Sequence, residues 1–271
     1  MDHDAHLFSP VTAALAHPDD PSEPQSRTAS PSLLIVSLPK SGTVFLNHTF
    51  HAGLGLENRP LCNGYFPADV LALDRVRSFV ADGGCVAASH LPASPVNLQL
   101  LDALVPRWVV HLRDPRASLL SWVHHIRGLH AAGHDEMLLL ITPAPPRSVL
   151  DGDLDACIEW HIDGYFRAAV GWLTAWTAAA DARPDRVLLT EFAELVHEEE
   201  PLCRRIAAFT GFDLGAYRHS APPRSAATHF RNGELDEWAR VFTRAQIART
   251  TALIPPGLAR RFGWRMEQAA D

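Results

Sequence analysis

The sequence predicts an α/β fold: a P-loop-like parallel sheet flanked by helices in a three-layer sandwich. Three observations predict it. Short apolar runs at 33–37 (LLIVS), 85–89 (CVAAS), 108–112 (WVVHL) and 187–190 (VLLT) have the length and composition of buried strands. Stretches of helical period separate them, which implies parallel pairing through right-handed crossovers. Finally, Lys40, His90 and Arg113 each fall just past the C-terminal end of a predicted strand, the edge at which open α/β sheets bind ligands.

The first strand, Leu33 to Ser37, is bracketed by Pro31 and Pro39. The segment Pro39-Lys40-Ser41-Gly42-Thr43 then turns the chain, and Val44 to Phe50 continues as a helix. A strand, a small-residue turn with one cation and a helix present backbone N–H groups and a positive dipole end to an anion. A phosphate or sulfate ester is the expected cargo. Of the 24 basic residues, 23 are Arg and the single Lys is Lys40. An ammonium is a compact point charge on a thin stem, whereas a guanidinium is a wide planar fork. A group that must slide between phosphate oxygens and touch one bridging atom favours the first, although compositional drift would also leave one lysine. An ATP-binding P-loop fits less well, because Lys40 precedes the glycine and no glycine stands at 33–38.

The other elements follow in order. Residues 1–31 are rich in Pro, Ser and Asp and carry five acids against one Arg, the composition of a flexible acidic arm. Within it Leu7, Val11, Ala14 and Leu15 have the spacing of a short docked helix. Residues 32–271 then read as one domain. His51 to Ala68 reads as a loop containing Asn63-Gly64-Tyr65-Phe66-Pro67, and Val70 to Val80 as a helix ended by Asp82-Gly83-Gly84. The second strand runs into His90-Leu91-Pro92, and Asn97 to Leu104 is helical. After the third strand, Asp114 is an N-cap and Pro115 the first position of a helix that carries Ser121 and Trp122. Gly128 to Asp153, with Pro143, Pro145 and Pro146, reads as a lid or insertion. Leu154, Ile158, Ile162, Tyr165, Ala169, Trp172 and Trp176 step by three or four, which predicts one long amphipathic helix against the sheet. Its Trp pair reads as core. Pro201 to Thr210 is a helix closed by Gly211. The tail holds a polar turn from Ser225 to Glu234 and helices from Asp236 to Thr250 and from Leu258 onward.

Bulk composition narrows the function classes. A chain of 271 residues with 47% hydrophobic and 20% charged residues has ample core for one large domain. A net charge of −7 disfavours nucleic-acid partners, so an anionic ligand must be held by local cations and dipoles. No apolar run approaches the ~18 residues of a membrane span, and the acidic N-terminus lacks an apolar signal core. Cys62, Cys85, Cys157 and Cys203 show no CxxC spacing, as reduced cytoplasmic thiols would. The 15 histidines include no HExxH, and on a helix the adjacent His124 and His125 diverge by about 100°. No metal site is expected.

Taken together, these residues resemble the cytosolic-type sulfotransferases that use 3′-phosphoadenosine 5′-phosphosulfate (PAPS). Pro39-Lys40-Ser41-Gly42-Thr43 resembles the family's 5′-phosphosulfate loop. Arg113 and Ser121, eight apart, resemble its 3′-phosphate pair, and Ser89-His90-Leu91-Pro92 the segment of its catalytic histidine. Arg231-Asn232-Gly233, with Trp238 and Phe242-Thr243 after it, is similar to the loop that closes over the 3′-phosphate. The resemblance spans residues 33 to 264 and ends in Phe262-Gly263-Trp264. It implies Lys40 and His90 as catalytic residues and PAPS as co-substrate, with 3′-phosphoadenosine 5′-phosphate (PAP) as product. Nucleotide contacts are implied for Lys40, Ser41, Gly42, Thr43, Val44, Phe45, Arg113, Ser121, Arg231, Asn232 and Gly233.

This sequence departs from the family at several positions. Phe45 stands where a Trp usually meets the adenine, and Ala88 occupies the place of a second active-site lysine. Asn232 replaces a Lys, Asp236 a glycine, and Thr190-Glu191-Phe192 a Tyr-Glu-Asp-like segment. Two other functions stay open. A nucleotide-dependent kinase on a related fold would require Mg²⁺ and consume ATP. A sensor of PAP would bind it without transfer, and Ala88 keeps that reading alive. Tyr65, Phe66, Trp122 and the 128–153 segment are expected to line the pocket of a small organic or glycosidic acceptor. The sequence carries no signal of oligomeric state.

Overall fold

The computed structural model describes residues 30–62, 64–139, 141, 143–221 and 233–266. The first strand, β1 (Leu33–Ser37), lies at the centre of the sheet and is buried along its whole length. It is followed by α1 (Thr43–Leu54), β2 (Glu57–Asn58), α2 (Leu73–Asp82), β3 (Cys85–Ser89), α3 (Pro95–Leu104) and β4 (Trp108–Leu112). Then come α4 (Pro115–Ala131), the short helices α5 (Asp135–Leu138) and α6 (Arg147–Leu150), and α7 (Leu154–His161). A π turn (Ile162–Phe166) leads into α8 (Arg167–Asp181) and β5 (Val187–Glu191). The chain continues through α9 (Phe192–His197) and α10 (Glu199–Thr210), and then through α11 (Trp238–Val241), α12 (Arg244–Leu253) and α13 (Pro256–Arg261).

The five strands pair in the order β2-β3-β1-β4-β5, and every pairing is parallel. Side chains alternate between two cores, as the pleat requires. Leu34 and Val36 join one hydrophobic cluster with Trp108, Val110, Trp122 and Trp176, whereas Leu33 and Ile35 join the other with Phe50, Val109, Phe192 and Ile206. The predicted three-layer α/β sandwich is the observed fold.

Register sets the site. Val36 pairs with Ser89, Ser37 with His111, and His111 with Thr190, so the ends of four strands meet at one edge. The chain leaves β1 toward β2 and leaves β4 toward β5, on opposite sides. The crevice between the ends of β1 and β4 is therefore the topological switch point. Lys40 and Arg113 follow those two ends.

Local rules account for most boundaries. Ser94 caps α3, accepting from the Asn97 N–H at 3.3 Å, and Asp114 caps α4, accepting from the Arg116 N–H at 2.8 Å. Four expectations change. The 51–68 stretch contains the edge strand β2, too short for a periodic signal. Helix α2 starts at Leu73 rather than Val70. The helix foreseen from Leu154 to Trp176 is split by the π turn, and the one from Asp236 to Thr250 breaks at Phe242-Thr243, where Thr243 begins a capping box with Gln246. The arm at 1–29, with its docked helix, and most of the polar turn at 225–234 lie outside the described residues.

Candidate active site

Lys40 is the one non-glycine residue with positive φ among the described residues, at 65°. Such a left-handed conformation is costly for a side-chain-bearing residue and persists only where neighbours hold it. Here the neighbours are identifiable. Pro39 C=O accepts from the Ser118 hydroxyl at 2.7 Å, and Lys40 C=O accepts from Arg113 Nη1 at 2.5 Å. Ser37 Oγ and Thr43 Oγ1 lie 2.6 Å apart, tying the strand end to the first helical residue. Gly42, at φ 84°, caps α1, and no acid stands in that helix's first turn. The first N–H groups of α1 have no intrahelical acceptor and carry the positive end of its dipole. Ser41 Oγ is buried without a partner among the described residues. This turn suits a doubly charged oxyanion.

His90 lies beside the loop. Its Nδ1 is 2.8 Å from Ser37 C=O, and a carbonyl only accepts, so Nδ1 carries the proton and Nε2 is left with a lone pair. Burial, followed at a distance by the Lys40 charge, lowers its pKa to about 4, against a raising effect from the Ser37 bond. At neutral pH it is an uncharged imidazole of fixed tautomer. The backbone after it is pinned from behind: the indole N–H groups of Trp172 and Trp176 both donate to Leu91 C=O, at 2.5 and 2.7 Å. The buried Asn97 donates to Pro92 C=O at 3.0 Å. The Trp pair is core, as the spacing implies, and also orients the His90 segment. Spacing four apart signals that both indoles face one point, but not that a carbonyl sits there.

Arg113 joins the loop to a second feature. Its Nη2 donates to Glu234 C=O at 3.2 Å, and its guanidinium lies 4.0 Å over the Phe192 ring. The neighbouring Asp114 carboxylate is engaged by Arg116 at 3.0 and 2.7 Å. Arg113, Ala117, Glu191, Phe192 and Trp264 line a cleft of about 220 Å³, together with Leu235 and Asp236. Burial, and then the Glu194 charge, pushes the Glu191 carboxyl up to about 7, which limits its repulsion of an anion in that cleft. Ser121 is one helical turn beyond Ala117 on the same strip of α4. Gly233 sits at φ 71° just before the Glu234 contact. Arg231 and Asn232 lie outside the described residues.

Phe45 and Val44 occupy the first turn of α1; Phe45 packs against the cluster that contains Phe192, and Val44 is exposed. An aromatic wall runs away from His90. Tyr65 meets the His90 ring edge-on at 5.7 Å and stacks on Trp122 at 6.1 Å; Trp122 stacks on Tyr165 at 4.6 Å. Beyond that stack Phe66, Trp160, His161, Ile141 and Pro143 enclose a small cavity with Trp122 and Tyr165. Ile141 and Pro143 bring the 128–153 segment to that cavity. Ser118 and Tyr165, which touch the loop, were not legible as site residues.

Among the described residues no cluster of His, Cys, Asp or Glu could hold a metal ion, and no helix is long and apolar enough to cross a membrane.

No protein-family model matches the sequence, and no curated protein matches it. Solved structures do. Mouse sulfotransferase SULT7A1 complexed with PAP superposes with a TM-score of 0.57 at 16% identity, covering 83% of this chain and 85% of that one. The sulfotransferase domain from the curacin biosynthetic pathway superposes with 0.52 at 10% identity, over 89% and 100%. Retinol dehydratase in complex with retinol and PAP gives 0.51 at 14% identity, over 83% and 80%. The fold of this chain is that of the sulfotransferases.

Proposed function

We propose that the chain, as one domain over residues 32–271, transfers a sulfuryl group from PAPS to a hydroxyl or amine of a small organic or glycosidic acceptor. The observation that carries this reading is the convergence at the switch point. There Arg113 Nη1 holds the Lys40 carbonyl while His90, neutral and with Nε2 available, stands beside the same turn. The PAP complexes of two structural neighbours support the choice of nucleotide.

The acceptor oxygen attacks sulfur as the bond from sulfur to the 5′-phosphate oxygen breaks. Its proton passes to His90 Nε2, and the electron pair stays on the departing phosphate, leaving PAP. Catalysis of this kind is in-line positioning plus stabilisation of charge on oxygens. Lys40 Nζ and the N–H groups of Ser41 to Val44 stabilise the departing phosphate; loss of one such donor typically costs roughly 10²–10³ in rate. Proton removal by His90 is worth roughly 10²–10⁴. Arg113, with Ser121 and the 231–233 turn, holds the 3′-phosphate. Phe45 packs on the adenine. The aromatic wall from Tyr65 to Trp122 receives the acceptor. The four cysteines are free, which supports a reducing cytoplasm as the place of work.

The test is incubation with labelled PAPS and a chemically diverse acceptor library, read by mass spectrometry, beside the Lys40→Ala variant. Transfer that disappears in Lys40→Ala with an unchanged unfolding midpoint supports the reading; near-normal turnover removes Lys40 from the mechanism. A PAP sensor is the second reading. It is favoured by Ala88, which leaves β3 with no cation of its own; tight PAP binding with no transfer across the library would select it.

A further inference from the structure

Lys40 adopts a backbone conformation that a lysine does not choose, so something must hold it. Arg113 grips the carbonyl on its C-terminal side, at Lys40 itself. The peptide on its N-terminal side ends in Pro39 C=O, which faces two hydroxyls. The Ser118 hydroxyl donates to that carbonyl at 2.7 Å and lies 2.6 Å from the Tyr165 hydroxyl, whose oxygen is 3.3 Å from Pro39 C=O. Each hydroxyl has one proton, and the two shorter contacts place them: Tyr165 O–H on Ser118 Oγ at 2.6 Å, and Ser118 O–H on the carbonyl at 2.7 Å. Both side chains are buried, Ser118 completely.

Tyr165 lies within the π turn at Ile162–Phe166 and stays in the apolar cluster with Ile158, Ile162, Trp172 and Trp176. Its ring belongs to the core, and its hydroxyl end reaches the loop. The chain of hydroxyls ends on an amide oxygen, which cannot pass a proton on. Tyr165 is therefore no acid or base for the reaction, and burial, moving its pKa far up, keeps the donor protonated.

We infer that Ser118 and Tyr165 are positioning residues. They clamp the Pro39–Lys40 peptide so that Lys40 stays left-handed and its amine and the following N–H groups face the nucleotide's 5′ end. This rests on the proposed reading of Lys40.

The test is a set of PAP affinities by calorimetry for the full chain. Tyr165→Phe keeps the ring stacked on Trp122 and removes only the hydroxyl. It should weaken PAP binding about five- to thirtyfold, the equilibrium cost of a left-handed non-glycine residue left unheld. Ser118→Ala should do the same, and the double variant should be no weaker than Ser118→Ala alone, because the two hydroxyls act in series. Glycine adopts positive φ freely, so in a Lys40→Gly background Tyr165→Phe should cost less than about threefold. Wild-type affinity in Tyr165→Phe overturns the clamp, and so does an equal loss in both backgrounds, the mark of a merely structural tyrosine. Failure of the wild-type chain to bind PAP would instead strike the nucleotide reading, and the clamp with it.

Discussion

Arg113 Nη1 donates to the Lys40 carbonyl at 2.5 Å. The guanidinium assigned to the nucleotide's 3′ end thereby also fixes the turn assigned to its 5′ end. With its contacts to Glu234 C=O and the face of Phe192, Arg113 serves three partners from one planar fork. An ammonium cannot match that geometry. Arg113→Lys should therefore weaken PAP binding by about ten- to a hundredfold, the range for losing a charged hydrogen bond, while keeping the charge. Calorimetry at two salt concentrations checks it. Wild-type affinity in the variant would show that charge alone suffices and that the fork is not needed.

His90 should act as an uncharged base across the whole neutral range. Its pKa is lowered to about 4 by burial, so turnover should stay level from pH 8 down to about 5 and fall only as the imidazole gains its proton near 4. An acid limb near 6.5 would mean an ordinary exposed imidazole and would sink the assignment. The same shift has a stability consequence, shared with His111, which burial lowers to about 3. Between 6.5 and these values the unfolded chain binds protons that the folded one refuses, so ν of the unfolded state exceeds that of the folded state. Stability therefore rises with pH there and is lost as pH falls below 6.5. Urea unfolding at pH 7 and pH 5 should show the drop, and His111→Phe should shrink it.

What the sequence revealed and what it hid divide along a physical line. Four of the five strands are short, mostly apolar runs, and the Asp114-Pro115 helix start follows from local capping chemistry, so both were readable without tertiary information. The switch-point edge was readable too, because His90 and Arg113 directly follow such runs and Lys40 comes three residues after one. The supports were hidden. Ser118 looks like any small residue inside an apolar helix, and Tyr165 like one more member of an amphipathic stripe; neither pattern shows that the two hydroxyls meet at Pro39 C=O. Strand β2 has two exposed residues and no pattern to read. The stretch that the resemblance assigns to adenine is where the sequence reading changed least: Phe45 and Thr190 remain departures, and Thr190 is spent on His111, with its Oγ1 2.7 Å from Nδ1.

Gly42 should resist substitution for two separable reasons. Its φ of 84° disfavours any L side chain, and an added Cβ would lie 2.6 Å from Leu195 Cδ2. The first cost is about 1–2 kcal/mol. The second falls on the tip of a flexible side chain and can be relieved by removing it. Gly42→Ala should lower the unfolding midpoint and weaken PAP binding, and adding Leu195→Ala should not restore binding. Recovery of wild-type affinity in that double variant would locate the requirement in space rather than in backbone conformation. Thermal unfolding and calorimetry on the same samples separate the two.

One imidazole ties together the two ends of the segment between α4 and α7. His130 Nδ1 lies 2.7 Å from Asp135 and Nε2 3.0 Å from Asp151, and Arg147 reaches Asp135 at 3.3 Å. Two carboxylates, Asp135 first, raise the His130 pKa above its ordinary value. A raised folded-state pKa means that the mooring is complete below pH 6.5 and lost as pH climbs through the higher folded value. Hydrogen exchange over 134–153 should therefore quicken between pH 6 and pH 9 by more than the intrinsic base dependence predicts. His130→Gln should be fast throughout, with the remaining pH effect gone. Arg127 holds Gly152 C=O at 2.6 Å in either state, so the segment's C-terminal end should keep its protection while α5 loses it. Uniform loss along the whole segment would show that His130 is not its anchor.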